Sequence, residues 1–487
     1  MRWPMRRGSI LKTYIPETAE RSREMAVVGA IMVPHPPLIV PEVGKGGEKQ
    51  IEATSKAYRE AAAFIAELRP ETIIISSPHS VMYSDWFHIS PGNGARGSFS
   101  QFRAPNTAFA VRYDSELAEA ISASAGKAGI PAGTAGERDP SLDHGTMVPL
   151  YFLREAFGGK LPKIVRIGLS GLPLREHYRL GMLIAEACDS LGRRAAFIGS
   201  GDLSHKLQSY GPYGFAEEGP VYDERIMDVM GRAAFGELFD FDEAFCDKAA
   251  ECGHRSFVML AGALDGKAVE AHKLSHEGVT GVGYGICTYL PVSEDPGRRF
   301  LEVYDKKLDN KISGQREAED EYVKLARTSL EYYYRYRTPM VLPEDAPSAM
   351  RDTKAGVFVS LHEFGRLRGC IGTILPVTVC TGEEIIRNAI SAAMHDPRFS
   401  PVREDELKTL EYSVDVLSEP EDIGSESELD PKKYGVIVTK GGRRGLLLPD
   451  LDGVDTVSQQ ISIAKQKAGI GKWENVKLSR FTVTRHK

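Results

Sequence analysis

The chain of 487 residues contains no apolar run that approaches the roughly 20 residues of a membrane helix, so no membrane-spanning segment is expected. Residues 1–24 carry several arginines but no apolar core segment, which excludes a secretory signal and predicts a flexible tail. The six cysteines are scattered and form no CxxC pair. This cysteine usage fits a reducing, cytoplasmic setting.

A surplus of positive charge is also absent. The net charge of −6 argues against a general nucleic-acid binder. Hydrophobic residues at 42% and charged residues at 26% are ordinary for a soluble globular protein. At roughly 100–200 residues per domain, the length suggests two or three domains.

Two patterns of secondary structure follow one another along the chain. Residues 25–291 alternate strand-like and helical stretches, which predicts an α/β domain with a central sheet flanked by helices. Residues 292–315 are polar and mostly lack apolar periodicity, so we place the inter-domain linker there. Residues 316–487 begin with a helical stretch and continue with short strands, two of them joined by a Gly-Gly turn, which predicts an α+β domain.

Histidines follow three of the predicted strands of the first domain. His35 comes after the first apolar stretch, His79 after the second, and Asp202 and His205 after a third, while His144 precedes an apolar helix. In an open parallel sheet, ligands bind beyond the carboxyl ends of the strands, and neutral imidazole is the commonest metal ligand. The pattern therefore predicts a metal site at this edge of the sheet.

The expected metal ligands are His35, His79 and one residue of the pair Glu251-Cys252. Two imidazoles and a carboxylate with open coordination positions form the facial arrangement of non-haem Fe(II) oxygenases, and Glu251 opens a predicted helix. Cys252 is the rival third ligand, because a thiolate would shift the preference toward softer metals. Both alternatives stay open at this point, as does a plain helix start for the pair.

The remaining polar residues of these motifs are expected to move protons. His205 would act as the general base, since an imidazole pKa of about 6.5 suits removal of a proton from a metal-bound phenol. Its acid partner would be either Asp202 or the substrate. His144 would donate to a substrate oxygen, or would only be a polar residue at the start of a helix. The loops 83–105 and 206–220 are expected to line the pocket, but their charges identify no substrate.

These motifs carry a resemblance to a known family. They are VPHPP around His35, SSPHS around His79, DHGTMVPL around His144, and GSGDLSH around Asp202 and His205. The set resembles the class III extradiol dioxygenases, the LigB superfamily, including its Memo-like branch, over about residues 25–291.

The resemblance implies a ferrous site that opens the ring of a catechol-type aromatic substrate with O2. It implies that His35 and His79 are ligands and that His205 and His144 are the acid–base pair. The dioxygenases use a glutamate as third ligand, whereas the Memo-like branch has a cysteine in a CG sequence. Glu251-Cys252-Gly253 fits both patterns.

The second domain contains the motifs LRGCIGT, with Arg368 and Cys370, and DPRFSPV, with Asp396 and Arg398. They resemble the AMMECR-type domain over about residues 317–484. Cys370 beside Arg368 would be an activated thiol or, as we favour, a residue of a buried strand. Asp396 and Arg398 would bind a small anionic group or, as we favour, pair to hold a turn.

The expected function is Fe(II)-dependent oxidation of an aromatic diol or a related small molecule. The alternative is a Memo-like protein that binds iron, copper or another divalent metal, or a peptide, without ring cleavage. That protein would act in a modification system with a radical SAM partner. A third hypothesis makes the whole chain a component of this AmmeMemoRadiSam system, as the resemblance of both domains implies. A homo-oligomer stays open.

Overall fold

The computed structural model describes residues 25–451 and 453–487, and the tail predicted for residues 1–24 lies outside this part of the chain. The chain divides into two compact units, with the boundary between Asp305 and Lys306. Within the described ranges, no helix has the length and apolar character needed to cross a bilayer.

The first unit is built from strands and helices in alternation. Its strands are β1 (Val27–Val33), β2 (Thr72–Ser77), β3 (Phe87–His88), β4 (Gly94–Phe99), β5 (Ala104–Arg112), β6 (Ala132–Gly133), β7 (Lys163–Gly168), β8 (Ala195–Ser200), β9 (Lys267–Glu277) and β10 (Tyr284–Glu294). Its helices are α1 (Pro41–Gly44), α2 (Glu52–Leu68), α3 (Ser115–Lys127), α4 (His144–Ala156), α5 (Leu174–Ser190), α6 (Glu218–Gly231), α7 (Glu243–Ala249) and α8 (His254–Ala263).

A six-stranded mixed sheet forms the centre of this unit, in the order β7-β2-β8-β1-β10-β9. The first four strands are parallel, and β10 and β9 are antiparallel. Side chains alternate between two cores: Ile31 and Ile198 pack with α2 and α4, whereas Met32 and Phe197 pack with α5 and α8. Because both faces are covered by helices, the parallel strands are almost completely buried and mainly apolar. The predicted α/β class is confirmed.

The adjacent strands β2, β8 and β1 end at the same level. Val33 pairs with Ser200, and Ser76 pairs with Gly199, so the three carboxyl ends lie side by side. The loops that follow carry the strand-end histidines. The topology therefore brings distant parts of the chain to one edge of the sheet.

The strands β4 and β5 form a hairpin, and β4 with the start of β5 falls in the segment 83–105 that the sequence predicts as a pocket-lining loop. One of its faces, which includes Phe99 and Phe109, is buried in the same core as α4. The opposite face exposes Arg96 and Ala110, which pair across the two strands. The alternation of the strand thus gives this hairpin one core face and one open face.

The stretch predicted as the linker contains a helix, α9 (Phe300–Ala318). Leu301, Leu308 and Ile312 are its buried apolar residues, seven and four positions apart. This spacing matches one helical face, but the apolar stripe is so sparse that the polar composition conceals it.

The second unit has the α+β architecture that the sequence predicts. Its helices are α10 (Glu321–Tyr336), α11 (Ser348–Arg351), α12 (Thr381–Met394) and α13 (Val457–Lys467). Its strands are β11 (Val357–Glu363), β12 (Arg366–Gly372), β13 (Leu410–Leu417), β14 (Glu421–Ile423), β15 (Gly435–Lys440), β16 (Arg443–Leu447), β17 (Lys477–Phe481) and β18 (Val483–His486). They form two antiparallel four-stranded sheets, β12-β11-β13-β18 and β14-β17-β15-β16.

Candidate metal centre

His35 is the most buried of the clustered histidines, with 1% of its surface exposed. Its Nδ1 lies 3.0 Å from Ser200 Oγ, and the Ser200 hydroxyl donates to the carbonyl oxygen of Gly145 at 2.6 Å. Since that hydroxyl has one proton, it accepts from Nδ1–H of His35. This contact selects the tautomer whose Nε2 is a free lone pair, which is how the outer shell of a metal site orients its ligands.

The free Nε2 of His35 points at two other potential ligand atoms. His79 Nε2 lies 3.0 Å away and Cys252 Sγ lies 3.6 Å away. Atoms held about 2.1–2.3 Å from a common ion at about 90–110° are separated by about 3.0–3.6 Å, so each of these two separations from His35 Nε2 suits a shared divalent ion. The ligand atoms of His35, His79 and His144 also all lie within 4.8 Å of one another.

The imidazoles of this cluster are held in the neutral form that binds metals. Burial lowers the pKa of His35 well below its usual value, and the neighbouring His79 and His144 lower it further. Burial lowers the pKa of His144 to about 4 and also lowers the pKa of His79. Their lone pairs are therefore available near neutral pH.

The neighbouring residues Glu251 and Cys252 make contacts with different parts of the structure. The Glu251 carboxylate accepts a hydrogen bond from the backbone N–H of His254, the first residue of α8, and burial raises its pKa to about 7. Cys252 Sγ lies at the histidine cluster, where it accepts a hydrogen bond from the Asp202 N–H at 3.3 Å. Burial raises the pKa of the Cys252 thiol, and the Asp202 and Glu251 carboxylates raise it further. The structure thus brings Cys252 to the cluster and turns Glu251 toward α8.

Asp202 and His205 occupy different parts of the site. Asp202 Oδ1 accepts the backbone N–H of His35 at 2.7 Å, and burial raises the pKa of this carboxyl to about 7. The half-buried ring of His205 packs edge-on against Tyr213, and burial lowers its pKa. Asp202 therefore supports the strand end that carries His35.

The first turn of α4 connects the cluster. Asp143 caps this helix by accepting the Thr146 N–H at 2.9 Å, and it also accepts the Ser77 hydroxyl at 2.6 Å. Ser77 Oγ in turn accepts the N–H of His79 at 3.2 Å. Gly145, the next residue but one, holds Ser200 through its carbonyl. One helical turn thus presents His144 and anchors the supports of the other two histidines.

Several of these supporting residues were not assigned from the sequence. Asp143 could have been found from the sequence, because aspartate is a preferred N-cap residue and it stands directly before the predicted helix. Asp223 has no such signal in the sequence: its Oδ1 accepts the Ser204 N–H at 2.8 Å, next to His205, and its Oδ2 pairs with His276 Nε2 at 2.9 Å. These contacts join residues that are far apart in the chain.

A cavity of about 960 Å³ opens beside the cluster. His79 and His144 form part of its wall, and the exposed face of the β4–β5 hairpin forms another part. Its volume lies at the upper end of the roughly 300–1,000 Å³ of small-molecule sites. A ligand in this cavity would contact two of the clustered imidazoles.

The motif residues of the second unit hold one another. Arg368 pairs with Glu406 at 2.9 Å. Asp396 accepts the Cys370 N–H at 2.9 Å and pairs with Arg398 at 2.7 Å, which lowers the pKa of Asp396 to about 2. Cys370 is half-buried in β12, where its Sγ accepts the Ser360 hydroxyl. These contacts tie β12 to the loop that follows α12.

The fold and cluster define the first unit as an α/β domain with a histidine cluster able to hold a metal ion at the strand ends, fused to an α+β domain. The chain belongs to the LigB family: the family described as the catalytic LigB subunit of aromatic ring-opening dioxygenase matches residues 29–287. The AMMECR1 family matches residues 323–486. The resemblance of both domains is confirmed.

Relatives that match nearly the whole chain, or about a third of it, occur in other organisms. Protein CA_C1420 of Clostridium acetobutylicum is 44% identical over 471 residues, which are 95% of this chain and 100% of that protein. A Thermotoga maritima protein is 54% identical over 171 residues, 35% of this chain and 98% of its own length.

Two solved structures resemble parts of the chain. Protein PH0010 of Pyrococcus horikoshii is 32% identical, with a TM-score of 0.32, over 34% of this chain and 88% of its own. Protein JW3007 of Escherichia coli K12 is 14% identical, with a TM-score of 0.35, over 54% of this chain and 99% of its own.

Proposed function

We propose that the first unit binds a divalent metal ion, iron in the first place, through His35, His79 and Cys252, and oxidises a small molecule held in the adjacent cavity. One observation carries the proposal: His35 Nε2 lies 3.0 Å from His79 Nε2 and 3.6 Å from Cys252 Sγ. Imidazole and thiolate ligands suit iron and copper, so copper is the second ion to test.

When bound, the ion would supply Lewis-acid activation and redox chemistry with O2. The chain's own part is to orient the substrate and to move its protons. His144 lines the cavity as a neutral imidazole, which can donate one hydrogen bond to a substrate oxygen. Burial lowers the pKa of His205, so its imidazole is also neutral, and we assign to it the acceptance of a proton from a substrate hydroxyl that extends beyond the cavity wall. Opening of a catechol ring is the first reaction to test.

A second candidate is metal binding without ring cleavage. It is favoured by the position of Glu251, whose carboxylate accepts the N–H of His254 at the start of α8. With Cys252 in its place, the ligand set contains a thiolate where a ring-opening site has a carboxylate. A thiolate favours softer ions and changes the redox behaviour of iron.

The deciding experiment measures bound metal in anaerobically loaded protein for Cys252→Ala and for the matched control Glu251→Gln. We expect Cys252→Ala to lose most of the iron and Glu251→Gln to keep it. Loading with cobalt(II) should give a thiolate-to-metal charge-transfer band that Cys252→Ala removes. The reverse pattern of the two variants would contradict the proposed ligand set.

Oxygen uptake by the iron-loaded protein across a panel of catechols then separates the two candidates. Turnover that is lost in His205→Ala supports oxidation by this site. Stoichiometric iron without any uptake supports the second candidate.

The proposal also covers the cellular location of the protein and its partner. All six cysteines are free, which supports a cytoplasmic location. A radical SAM protein as partner rests on the family resemblance alone. Co-purification of the full chain with such a protein from the native cell would support that partnership, and its absence would count against it.

A further inference from the structure

We propose that the 960 Å³ cavity binds an anionic group of its ligand, a carboxylate or a phosphate, through Arg96 on the open face of the β4–β5 hairpin. The proposal rests on the proposed function, because the same cavity touches His79 and His144. It defines which small molecules the site would accept.

Asp143, the less exposed of the two carboxylates in the cavity wall, already accepts several hydrogen bonds. Asp143 accepts the hydroxyls of Ser77 and Thr146 and the Thr146 N–H. Asp139 accepts the N–H of Ser141 at 2.9 Å, which lowers the pKa of the Asp139 carboxyl. Asp143 therefore has little acceptor capacity left for a ligand, whereas Asp139 is exposed.

Donors of the wall, in contrast, are left without partners. Within the described chain, the exposed guanidinium of Arg96 contacts no acceptor. The Ser80 hydroxyl also has no hydrogen-bond partner there, although the residue is only 9% exposed. A buried polar group without a partner is costly, so a ligand rich in acceptors fits this wall best.

The charge of Arg96 is also uncompensated, unlike that of its neighbour in the wall. Arg166 is 1% exposed and lies 3.7 Å from both the Glu137 and the Asp143 carboxylates. Arg96 has no such counter-charge among the described residues. A guanidinium with five donors in a fixed fork matches a carboxylate or phosphate in two parallel hydrogen bonds.

The backbone holds Arg96 at a set position relative to the histidines. Its carbonyl accepts the N–H of Leu142 at 3.0 Å, two residues before His144. Gly97 makes this approach possible, because a Cβ there would lie 2.7 Å from Leu142 Cβ and 2.9 Å from Met147 Sδ. The hairpin is thus packed directly against the start of α4.

Three probes with the same ring test the proposal: benzoate, phenyl phosphate and the neutral benzamide. Their binding to the metal-free full chain is measured by ligand-observed NMR titration at 0.15 M salt. We expect the better of the two anions to bind about tenfold more tightly than benzamide, as for a charge-assisted pair. In Arg96→Gln the better anion should bind about as weakly as benzamide. Arg96→Lys should keep part of the preference for the anion over benzamide. The stronger anion distinguishes a carboxylate from a phosphate ligand.

Arg103→Gln is the matched control, since Arg103 is exposed on the same hairpin but outside the cavity wall. Equal affinities for anions and amide in the unchanged protein, no binding of any probe, or an equal effect of both arginine variants would overturn the proposal. Metal content is measured separately, so a failed anion site and a failed metal site give different results.

Discussion

The hydroxyl of Ser200 donates to the carbonyl oxygen of Gly145 at 2.6 Å, across 55 positions of the chain. With its proton committed there, Ser200 accepts from Nδ1–H of His35 at 3.0 Å. This contact keeps the proton of the His35 ring on Nδ1. The other nitrogen, Nε2, faces His79 and Cys252 with its lone pair. The protonation of His35 thus leaves at Nε2 the lone pair that metal binding would need.

Ser200→Ala should weaken metal binding while leaving the fold intact. Without the acceptor, His35 loses the contact that selects its tautomer, and changes to such supports typically cost about 10–100-fold in metal affinity. The affinity is measured by competition with a chelator. Ser55→Ala is the control, because the buried Ser55 hydroxyl has no partner in the described chain. An affinity within twofold of the unchanged protein would show that Ser200 does not orient His35.

Gly145→Ala should displace His79. A Cβ at this position would lie 2.4 Å from Ser77 Oγ and 3.3 Å from His79 Cδ2, so the loop after β2 must move. Metal affinity should fall on the order of tenfold. The control is Gly126→Ala in α3, where a Cβ meets nothing within 4 Å. That change should raise the unfolding free energy by roughly 0.5–1 kcal/mol and leave metal binding unchanged. Normal binding by the Gly145 variant would contradict the tight packing.

Asp143→Asn should separate helix capping from support of the site. Asparagine caps helices as well as aspartate does, so the start of α4 should be retained. The substitution removes the negative charge that faces Arg166. It also replaces one of the two carboxylate oxygens that accept the hydroxyls of Ser77 and Thr146. We expect lower metal affinity and a loss of about 1–3 kcal/mol in unfolding free energy, from the buried arginine. Asp139→Asn, at an exposed position, should change both quantities little, and equal effects would argue against the role of Asp143.

Glu384→Gln should destabilise the second unit. Glu384 is fully buried and accepts hydrogen bonds from Thr373 Oγ1 and from the backbone N–H groups of Val377 and Thr378. Loss of the carboxylate should cost about 1–3 kcal/mol. The exposed Glu383→Gln is the control, and thermal unfolding of the full chain at pH 7 is the measurement. Equal melting temperatures for the two variants would contradict this role.

The same carboxylate predicts a pH dependence of stability. Burial alone would raise the pKa of Glu384, but the hydrogen bonds from Thr373, Val377 and Thr378 outweigh it, so the net shift is downward. A folded-state pKa below the unfolded value of about 4.3 means that this stabilisation is present above that pH. It should be lost as the pH falls through the folded-state pKa. The difference between wild type and Glu384→Gln should therefore shrink in acid, and a constant difference would contradict the assignment.

Much of the fold and part of the site could be predicted from local sequence. Alternating strand and helix patterns predicted the α/β and α+β classes. Polar turns after apolar strands predicted that His35, His79 and His205 share a sheet edge, because carboxyl ends of parallel strands meet there. The helix α9 was missed, since Leu301, Leu308 and Ile312 are too few to stand out in a polar stretch.

The sequence by itself determined the family, the two fold classes and the residue types at the strand ends. Only the tertiary structure decided which of them meet. Glu251 and Cys252 are neighbours, yet the start of α8 engages the carboxylate and leaves the thiol facing His35. Asp202 accepts the backbone N–H of His35, a contact across 167 positions of the chain. Where these side chains point depends on contacts between residues far apart in the chain. Local periodicity of the sequence carries no information about such contacts.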